Sequence, residues 1–411
     1  MSSKSIPLPQ AAQLPTPRPD SPPSIRGARI DALYLHLPFC FHKCHYCDFY
    51  SVVDRQEDRQ ADFTDALLAE LRERCEQTPL RPSTVFAGGG TPTYLRPELW
   101  ARLLDALHQL GVLDDAVEFT VEANPETVTP ELMAQLADGG VNRVSIGAQS
   151  FDRQSLAALE RWHDPDNVAR AVDACRAAGL TDFSLDLIFA IPGQTLDMLD
   201  ADLDRLVDLG PTHLSTYGLT FEPNTPLTAR LRTGQVAELD EETQRQMYQR
   251  VLDRLADAGF EHYEISNWAR AAPEPRPGQP ATDYRCAHNL AYWQNRNWLG
   301  LGPAAASHVD GRRWRNAPNL TTYLQQAPAP PVLDDETLEP DDRIGEQFML
   351  GLRLSQGIAR GWVNAHTRPG DRRQQQIDHL IAIGMLQWQD EHLRLTRAGL
   401  FVGDSVMAQL L

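Results

Sequence analysis

Lysine is nearly absent from this chain. Lys4 and Lys43 are the only two among 38 basic side chains, the rest being arginine, a compositional bias without a functional reading of its own. Positive charge is outnumbered: 56 acidic residues leave a net charge of −18. That balance argues against a general binder of nucleic acid or of an anionic membrane. No apolar run approaches the roughly 18 residues that a membrane span needs. The N-terminus lacks the charged-then-apolar layout of a signal peptide. Cysteine is sparse too, six in 411 residues, and three of the six crowd into one short loop. A disulfide framework is therefore not expected, and a reducing cytoplasm fits.

That loop organises the rest. In Tyr34–Tyr50, YLHLPFCFHKCHYCDFY, an alternating apolar strand runs into Pro38, and Cys40, Cys44 and Cys47 follow at C-x₃-C-x₂-C spacing. Three thiolates in a short loop after a strand can hold three corners of a cubane iron–sulfur cluster and leave one iron without a protein ligand. An open coordination position is where metal chemistry happens, whereas a closed four-ligand site is usually structural. A zinc knuckle is the alternative. Zinc sites pair C-x₂₋₄-C with a second Cys or His pair further on, and no such second half follows. His42 and His45 keep the zinc reading open as further ligands.

At 411 residues the chain can bury one large core and a smaller domain. Residues 1–28, with seven prolines and no apolar periodicity, predict a disordered lead. From residue 29 to about 235, short β runs alternate with amphipathic helical stretches. The strands are predicted at 33–37, 84–87, 118–122, 143–148, 183–189 and 213–219. Apolar residues at helical spacing, such as Phe63, Leu67 and Leu71 or Leu199, Leu203 and Leu206, mark the helices between them. This alternation predicts an α/β fold, a partial (β/α)6 barrel with parallel strands and functional groups at their C-terminal ends. Residues 236–340, which include a Pro- and Gly-rich loop at 271–281, are expected to cap the barrel. Residues 341–411 read as helices followed by a hairpin at Asp390-Glu391, a C-terminal α+β module of winged-helix-like form. It has no basic stripe for DNA, and packing over the open barrel mouth is the expected role. Cys75 and Cys175 share helical stripes with apolar neighbours and are expected in the core.

The cysteine spacing after a first strand resembles the signature of radical S-adenosylmethionine (SAM) proteins. The wording YLHLPFC…CHYCDFYS is similar to the branch of oxygen-independent coproporphyrinogen III oxidase-like proteins, over roughly residues 30 to 411. The resemblance implies a [4Fe-4S] cluster on Cys40, Cys44 and Cys47, with SAM on the open iron, where cluster reduction cleaves SAM to a 5′-deoxyadenosyl radical. It also assigns SAM contacts. Gly89, Gly90 and Thr91 match the family's GGGTPT, and Glu122, Gln149 and Arg161 match SAM-holding positions. Asp186 interrupts an apolar strand where an acid can accept from two ribose hydroxyls, and Tyr34 and Tyr46 complete the expected lining. The other reading of Glu122 is a salt-bridged structural carboxylate, and an arginine in such a helix is otherwise most often solvated, so Arg161 rests mainly on the resemblance. Ala190 stands where related sequences usually have Gly, a small departure that tightens a turn. Tyr217-Gly218 are expected to close the site over the adenosine.

The family holds at least two kinds of protein: the oxidase, which decarboxylates two propionates of coproporphyrinogen III, and HemW-type heme chaperones, which bind heme and pass it to acceptors such as respiratory enzymes. The oxidase extends its motif to C-x₃-C-x₂-C-x-C, whereas this chain reads Cys47-Asp48-Phe49. Its Pro-rich lead is also shorter than the oxidase's ordered N-terminal segment. The stretch His288-Asn289-Leu290-Ala291-Tyr292-Trp293 matches HNxxYW, typical of the heme-handling branch. His288 is the expected heme contact and Cys286 a weaker one. A hydrogen-bonded structural histidine is the other reading of His288. The resemblance therefore implies a cytoplasmic heme chaperone without coproporphyrinogen oxidase activity, with heme and heme-accepting proteins as partners. Any membrane contact would be made through a partner. A radical decarboxylase acting on a tetrapyrrole is the alternative.

Overall fold

Strand–helix alternation produces parallel pairing here, in a computed structural model that describes residues 22–53, 57–272 and 282–411. Strand β1 (Ala32–Leu37) is followed by a short pair, β2 (Phe39–Cys40) and β3 (Val52–Val53). Then come β4 (Thr84–Gly89), β5 (Glu118–Ala123), β6 (Arg143–Gln149), β7 (Asp182–Phe189) and β8 (His213–Gly218). β1 and β4 to β8 lie side by side in that order, all parallel. The intervening helices are α1 (Glu57–Gln77), α2 (Pro97–Gln109), α3 (Pro130–Asp138), α4 (Arg153–Ala158), α5 (Asp166–Ala177) and α6 (Leu196–Asp208). Period-2 alternation divides each strand between two faces. Leu33, Leu35, Val85, Val121, Ile146 and Leu185 share one core with Phe63, Leu67 and Leu71 of α1 and Leu199, Leu203 and Leu206 of α6. Side-chain oxygens of Thr129, Asp152 and Thr195 cap α3, α4 and α6, satisfying backbone donors that would otherwise be orphaned. Cys175 is buried in this core and Cys75 packs against it.

The packed chain begins ahead of Arg29. Of the lead predicted over 1–28, residues 1–21 lie outside the described residues, as do 273–281 of the predicted surface loop. Ile25, however, is buried; its N–H donates to Gln77 Oε1 at 3.2 Å, and the buried Arg74 donates to the Pro23 carbonyl at 2.9 Å. The end of the lead is thus fastened to α1.

Residues 236–340 extend the sheet on both sides as well as filling its interior. After α7 (Pro226–Arg232) and α8 (Glu241–Asp257), the hairpin β9 (Phe260–Glu264) and β10 (Asn267–Arg270) adds to β8 antiparallel. Helix α9 (Ala287–Trp293) precedes β11 (Trp298–Leu301), which pairs parallel with the free edge of β1. β12 (Ala306–Val309) and β13 (Arg312–Asn316) follow, then α10 (Leu320–Gln326) and β14 (Val332–Thr337), for twelve strands in one open sheet among the described residues. Pairing on both flanks covers edge groups of the parallel sheet. The buried Glu70 of α1 accepts from Tyr323 Oη (2.6 Å), Gly302 N (2.9 Å) and Asn316 Nδ2 (3.0 Å), tying the β11–β14 flank to the barrel.

The tail comprises α11 (Pro340–Arg353), β15 (Ile358–Ala359), α12 (Arg360–His366), α13 (Arg372–Ala382), β16 (Leu386–Gln389), β17 (His392–Leu395), α14 (Arg397–Leu400) and α15 (Gly403–Ala408). It has its own core around Phe348, Ile377, Leu380 and Leu393. Asp390 and Glu391 turn the β16–β17 hairpin at positive φ, 47° and 61°. The module does not sit where the sequence reading put it. Glu346 bonds Asn295 (3.1 Å) and Arg313 (2.7 Å), the Arg353 guanidinium lies 4.4 Å over Trp293, and Phe401 packs on Tyr248. Those anchors lie on α8, on and just after α9, and on β13, so the module bridges the two flanks of the open sheet rather than covering its mouth.

Candidate functional site

The loop after β1 is held from three sides. β2 and β3 pair parallel and pinch off the segment 41–51. The Gly-rich turn after β4 is laced to it: Gly90 N donates to Leu37 O (2.9 Å) and Thr91 N to Phe39 O (2.8 Å). A Cβ on Gly90 would stand 2.5 Å from the Leu37 carbonyl oxygen and 2.7 Å from the Pro38 carbonyl carbon, both backbone atoms that cannot swing aside. That close approach is why glycine is needed there. Cys40 accepts from Thr91 Oγ1 at 3.4 Å and Cys44 from Arg161 Nη1 at 3.7 Å. Burial raises the Cys40 thiol and pushes that of Cys47 up to about 11, against the opposing pull of the Phe49 N–H. Among the described residues, no three His, Cys, Asp or Glu side chains converge tightly enough to hold a single ion. A cubane instead spreads its corner ligands around a larger body.

The three cysteines open on a cavity of about 600 Å³ at the C-terminal ends of the parallel strands. Tyr46, Gly89, Gly90, Thr91, Glu122, Gln149, Arg161 and Asp186 line it with them, and so do Tyr217 and Gly218. Glu122 accepts from Gly89 N at 3.1 Å; withdrawal from water and the neighbouring Asp186 push its carboxyl up to about 7. Asp186 receives the Ser145 hydroxyl at 3.0 Å and the Ser184 hydroxyl at 3.1 Å. Burial raises its pKa, and hydroxyls from Ser215, Ser145 and Ser184 oppose the rise. Neither carboxylate has an ion-pair partner among the described residues. Arg161 donates to the Gly147 carbonyl at 2.8 Å, while its buried Nε has no partner among the described residues. Gln149 sits at positive φ (63°) where the β6–β7 register shifts, a bulge that re-aims its side chain. Ala190, where a glycine was the expectation, is likewise at φ 62°. Two carboxylates facing one cavity, with a guanidinium beside the cysteines, suit a ligand that carries both positive charge and a carboxylate. The donor set and the unpartnered Nε fit a thiolate-held cluster and SAM.

Two expected site residues lie elsewhere. Tyr34 bonds His36 Nδ1 at 3.2 Å and packs on Phe86, inside the barrel but off the cavity wall. His288 is only 1% exposed. Its Nδ1 meets Thr84 Oγ1 and its Nε2 meets Tyr292 Oη, both at 2.9 Å, and burial lowers its pKa to about 3. The carboxylate of Glu118 accepts from Ala287 N (2.7 Å) and His288 N (3.0 Å), with Cys286 Sγ at 3.5 Å. Thr84 and Glu118 begin β4 and β5, so the HNxxYW helix plugs the barrel at the end opposite the cavity. Of the two readings of His288, the geometry matches the hydrogen-bonded structural one. Sequence reasoning missed the serines around Asp186, whose signal is a small polar residue two positions before Gly147 or Asp186 in an apolar strand. It also missed the stack of His42 on Trp162.

Comparison with known proteins bears on this site. Residues 34–206 match the model of the radical SAM superfamily, and residues 338–402 that of the HemN C-terminal domain. The chain is 36% identical over 386 residues to heme chaperone HemW of Mycobacterium tuberculosis, covering 92% of this chain and 94% of that one. To heme chaperone HemW of Escherichia coli it is 33% identical, over 90% of this chain and 94% of that one. To the mitochondrial radical S-adenosyl methionine domain-containing protein 1 of Danio rerio it is 30% identical, over 92% and 86%. Among solved structures, coproporphyrinogen III oxidase (HemN) of E. coli superposes with a TM-score of 0.79 at 21% identity, over 93% of this chain and 90% of that one, a likeness of fold.

Proposed function

The chain belongs to the HemW family of radical SAM proteins, and on that premise we propose that it is a heme chaperone: it binds a [4Fe-4S] cluster, SAM and heme, and transfers heme to acceptor proteins such as respiratory enzymes. The observation that carries this reading is similarity along nearly the whole chain, barrel and C-terminal module together, to proteins named heme chaperones. Cys40, Cys44 and Cys47 would hold the cluster, which supplies an electron to SAM when both are bound. Thr91 and Arg161 donate to two of the sulfurs, Cys40 and Cys44. In this reading Arg161 would pair with the carboxylate of SAM, Glu122 with its ammonium or sulfonium charge, and Asp186 with the ribose hydroxyls. Gly89, Gly90 and Thr91 bring backbone to the ligand, with Gln149 and Tyr46 completing the wall. Among the described residues no helix is long and apolar enough to cross a membrane. The reading places the protein in the cytoplasm, reaching any membrane acceptor by contact with that acceptor.

The HemN-like fold keeps the oxidase reading as a definite competitor. Against it, Phe49 occupies the place of the oxidase's fourth cysteine and is 70% exposed. The discriminating experiment is an anaerobic incubation of cluster-loaded protein with SAM, reductant and coproporphyrinogen III, alongside transfer of bound heme to a heme-depleted acceptor. Heme transfer without decarboxylated product is the expected result. Protoporphyrinogen accumulating over many turnovers would make the protein an oxidase.

A further inference from the structure

The barrel's buried histidines are occupied. His36 bonds Tyr34 Oη and the Tyr50 carbonyl, His213 bonds Ser184 and Tyr263, and His288 bonds Thr84 and Tyr292. None of them has a ring nitrogen left for a metal. His163 has two nitrogens without partners among the described residues, but both are shut off from solvent. His42 differs from all of these. It lies within the cluster loop and lines the cavity. Its Nε2 is 2.9 Å from the Glu160 carbonyl, which can only accept, so in the neutral ring Nε2 carries the proton and the lone pair is on Nδ1. Nδ1 has no hydrogen-bond partner among the described residues. The ring is also held flat against Trp162, centroids 3.8 Å apart and planes 4° from parallel. A histidine fixed through one nitrogen by a backbone carbonyl, with the other free, is the usual arrangement of a metal-ligating imidazole.

The surroundings fit one kind of ligand. Phe49 is 70% exposed, Trp162 57% and Tyr217 42%, and all three belong to the wall of the cavity or flank it through His42. Large aromatic side chains are seldom left in water together unless something apolar covers them. Lys43, bonded to the Phe49 carbonyl at 3.2 Å, adds a cation to the same rim. Aromatic faces, a lone-pair nitrogen and an ammonium together match a flat macrocycle that bears iron and carboxylates.

We propose that His42, rather than His288, is the protein ligand to heme iron, and that the Phe49–Trp162–Tyr217 rim seats the macrocycle at the mouth of the cluster cavity. The bond formed is donation of the Nδ1 lone pair to iron, with no change of oxidation state. This inference rests on the chaperone reading, and the test separates the two. Ferric heme is titrated into the cluster-loaded full chain, for wild type, His42→Gly, His163→Ala and His288→Asn, and followed by absorption and electron paramagnetic resonance spectra. His42→Gly should lose the histidine-ligated signature and bind at least tenfold more weakly, and added imidazole should restore the signature. His288→Asn should retain the wild-type spectrum. Trp162→Ala should weaken binding several-fold with the ligand signature unchanged. If iron and sulfide content falls in His42→Gly, the same titration on unreconstituted wild type and variant decides. A wild-type spectrum and affinity in His42→Gly, or loss of the signature in His163→Ala or His288→Asn instead, overturns the assignment and leaves the chaperone reading standing. Failure of the wild type to bind heme at all overturns the chaperone reading itself.

Discussion

Glu122 shows how one side chain can be costly alone and useful with a ligand. Its carboxyl is held at about 7, against an ordinary 4.5, because it faces Asp186 in a site withdrawn from water. A carboxyl whose folded pKa is raised binds extra protons in the native state, so its contribution to stability falls as pH rises from the unfolded value through the folded one. In metal-free protein, Glu122→Gln should therefore raise stability above pH 7, by on the order of 2 kcal/mol, and have no effect near pH 4. Chemical denaturation at the two pH values checks this. The same variant should weaken SAM binding by at least about tenfold in calorimetry, since the charge that repels Asp186 is the one that would attract SAM. Gly90→Ala acts by shape alone. Its Cβ would meet the Leu37 and Pro38 backbone, so the turn must part from the cluster loop, at about 1–3 kcal/mol. Reduced iron and sulfide content after reconstitution, along with a lower melting temperature, is the expected readout.

The elements show which contacts hold the site in place without touching it. Helix α1 supports the β11–β14 flank through Glu70, whose carboxylate takes three donors in a buried position. Burial raises its pKa while those donors lower it. Glu70→Ala would leave the Tyr323 hydroxyl and the Gly302 N–H without this acceptor and Asn316 Nδ2 with the Gly302 carbonyl alone, a loss of about 3–5 kcal/mol by analogy with broken buried networks. Denaturant melts of purified protein test the size. At the opposite end, Glu118 serves α9 as a cap supplied from another strand. The HNxxYW motif was conspicuous in the sequence because it combines polar and aromatic residues. Polar and aromatic residues are also what a barrel plug needs when its neighbours are Thr84 and Glu118.

On the scale of the whole molecule, the C-terminal module is a brace between two flanks of an open sheet. It contributes nothing to the cavity wall. Phe348→Ala, which empties the centre of the module's own core, should cost about 3–5 kcal/mol. SAM affinity in protein that remains folded should stay within about twofold of wild type, because the site and the module share no side chain. Loss of SAM binding in a folded Phe348→Ala variant would mean that the brace sets the geometry of the cavity after all.

The sequence by itself determined the six parallel strands, because period-2 and period-3.6 apolar patterns report local burial directly. It also determined the cysteine loop, the Gly-rich turn and the acids at strand ends, since each is written in contiguous residues at the C-terminal ends of those strands. Tertiary structure decided what depended on distant partners. β11 joins β1 across some 260 residues, the tail bridges flanks rather than capping the mouth, and Ile25 is buried against α1, none of which a local pattern can express. The same reason separates the histidines. A ring's role depends on what its two nitrogens meet, and Thr84 for His288 and Glu160 for His42 lie 204 and 118 residues away along the chain.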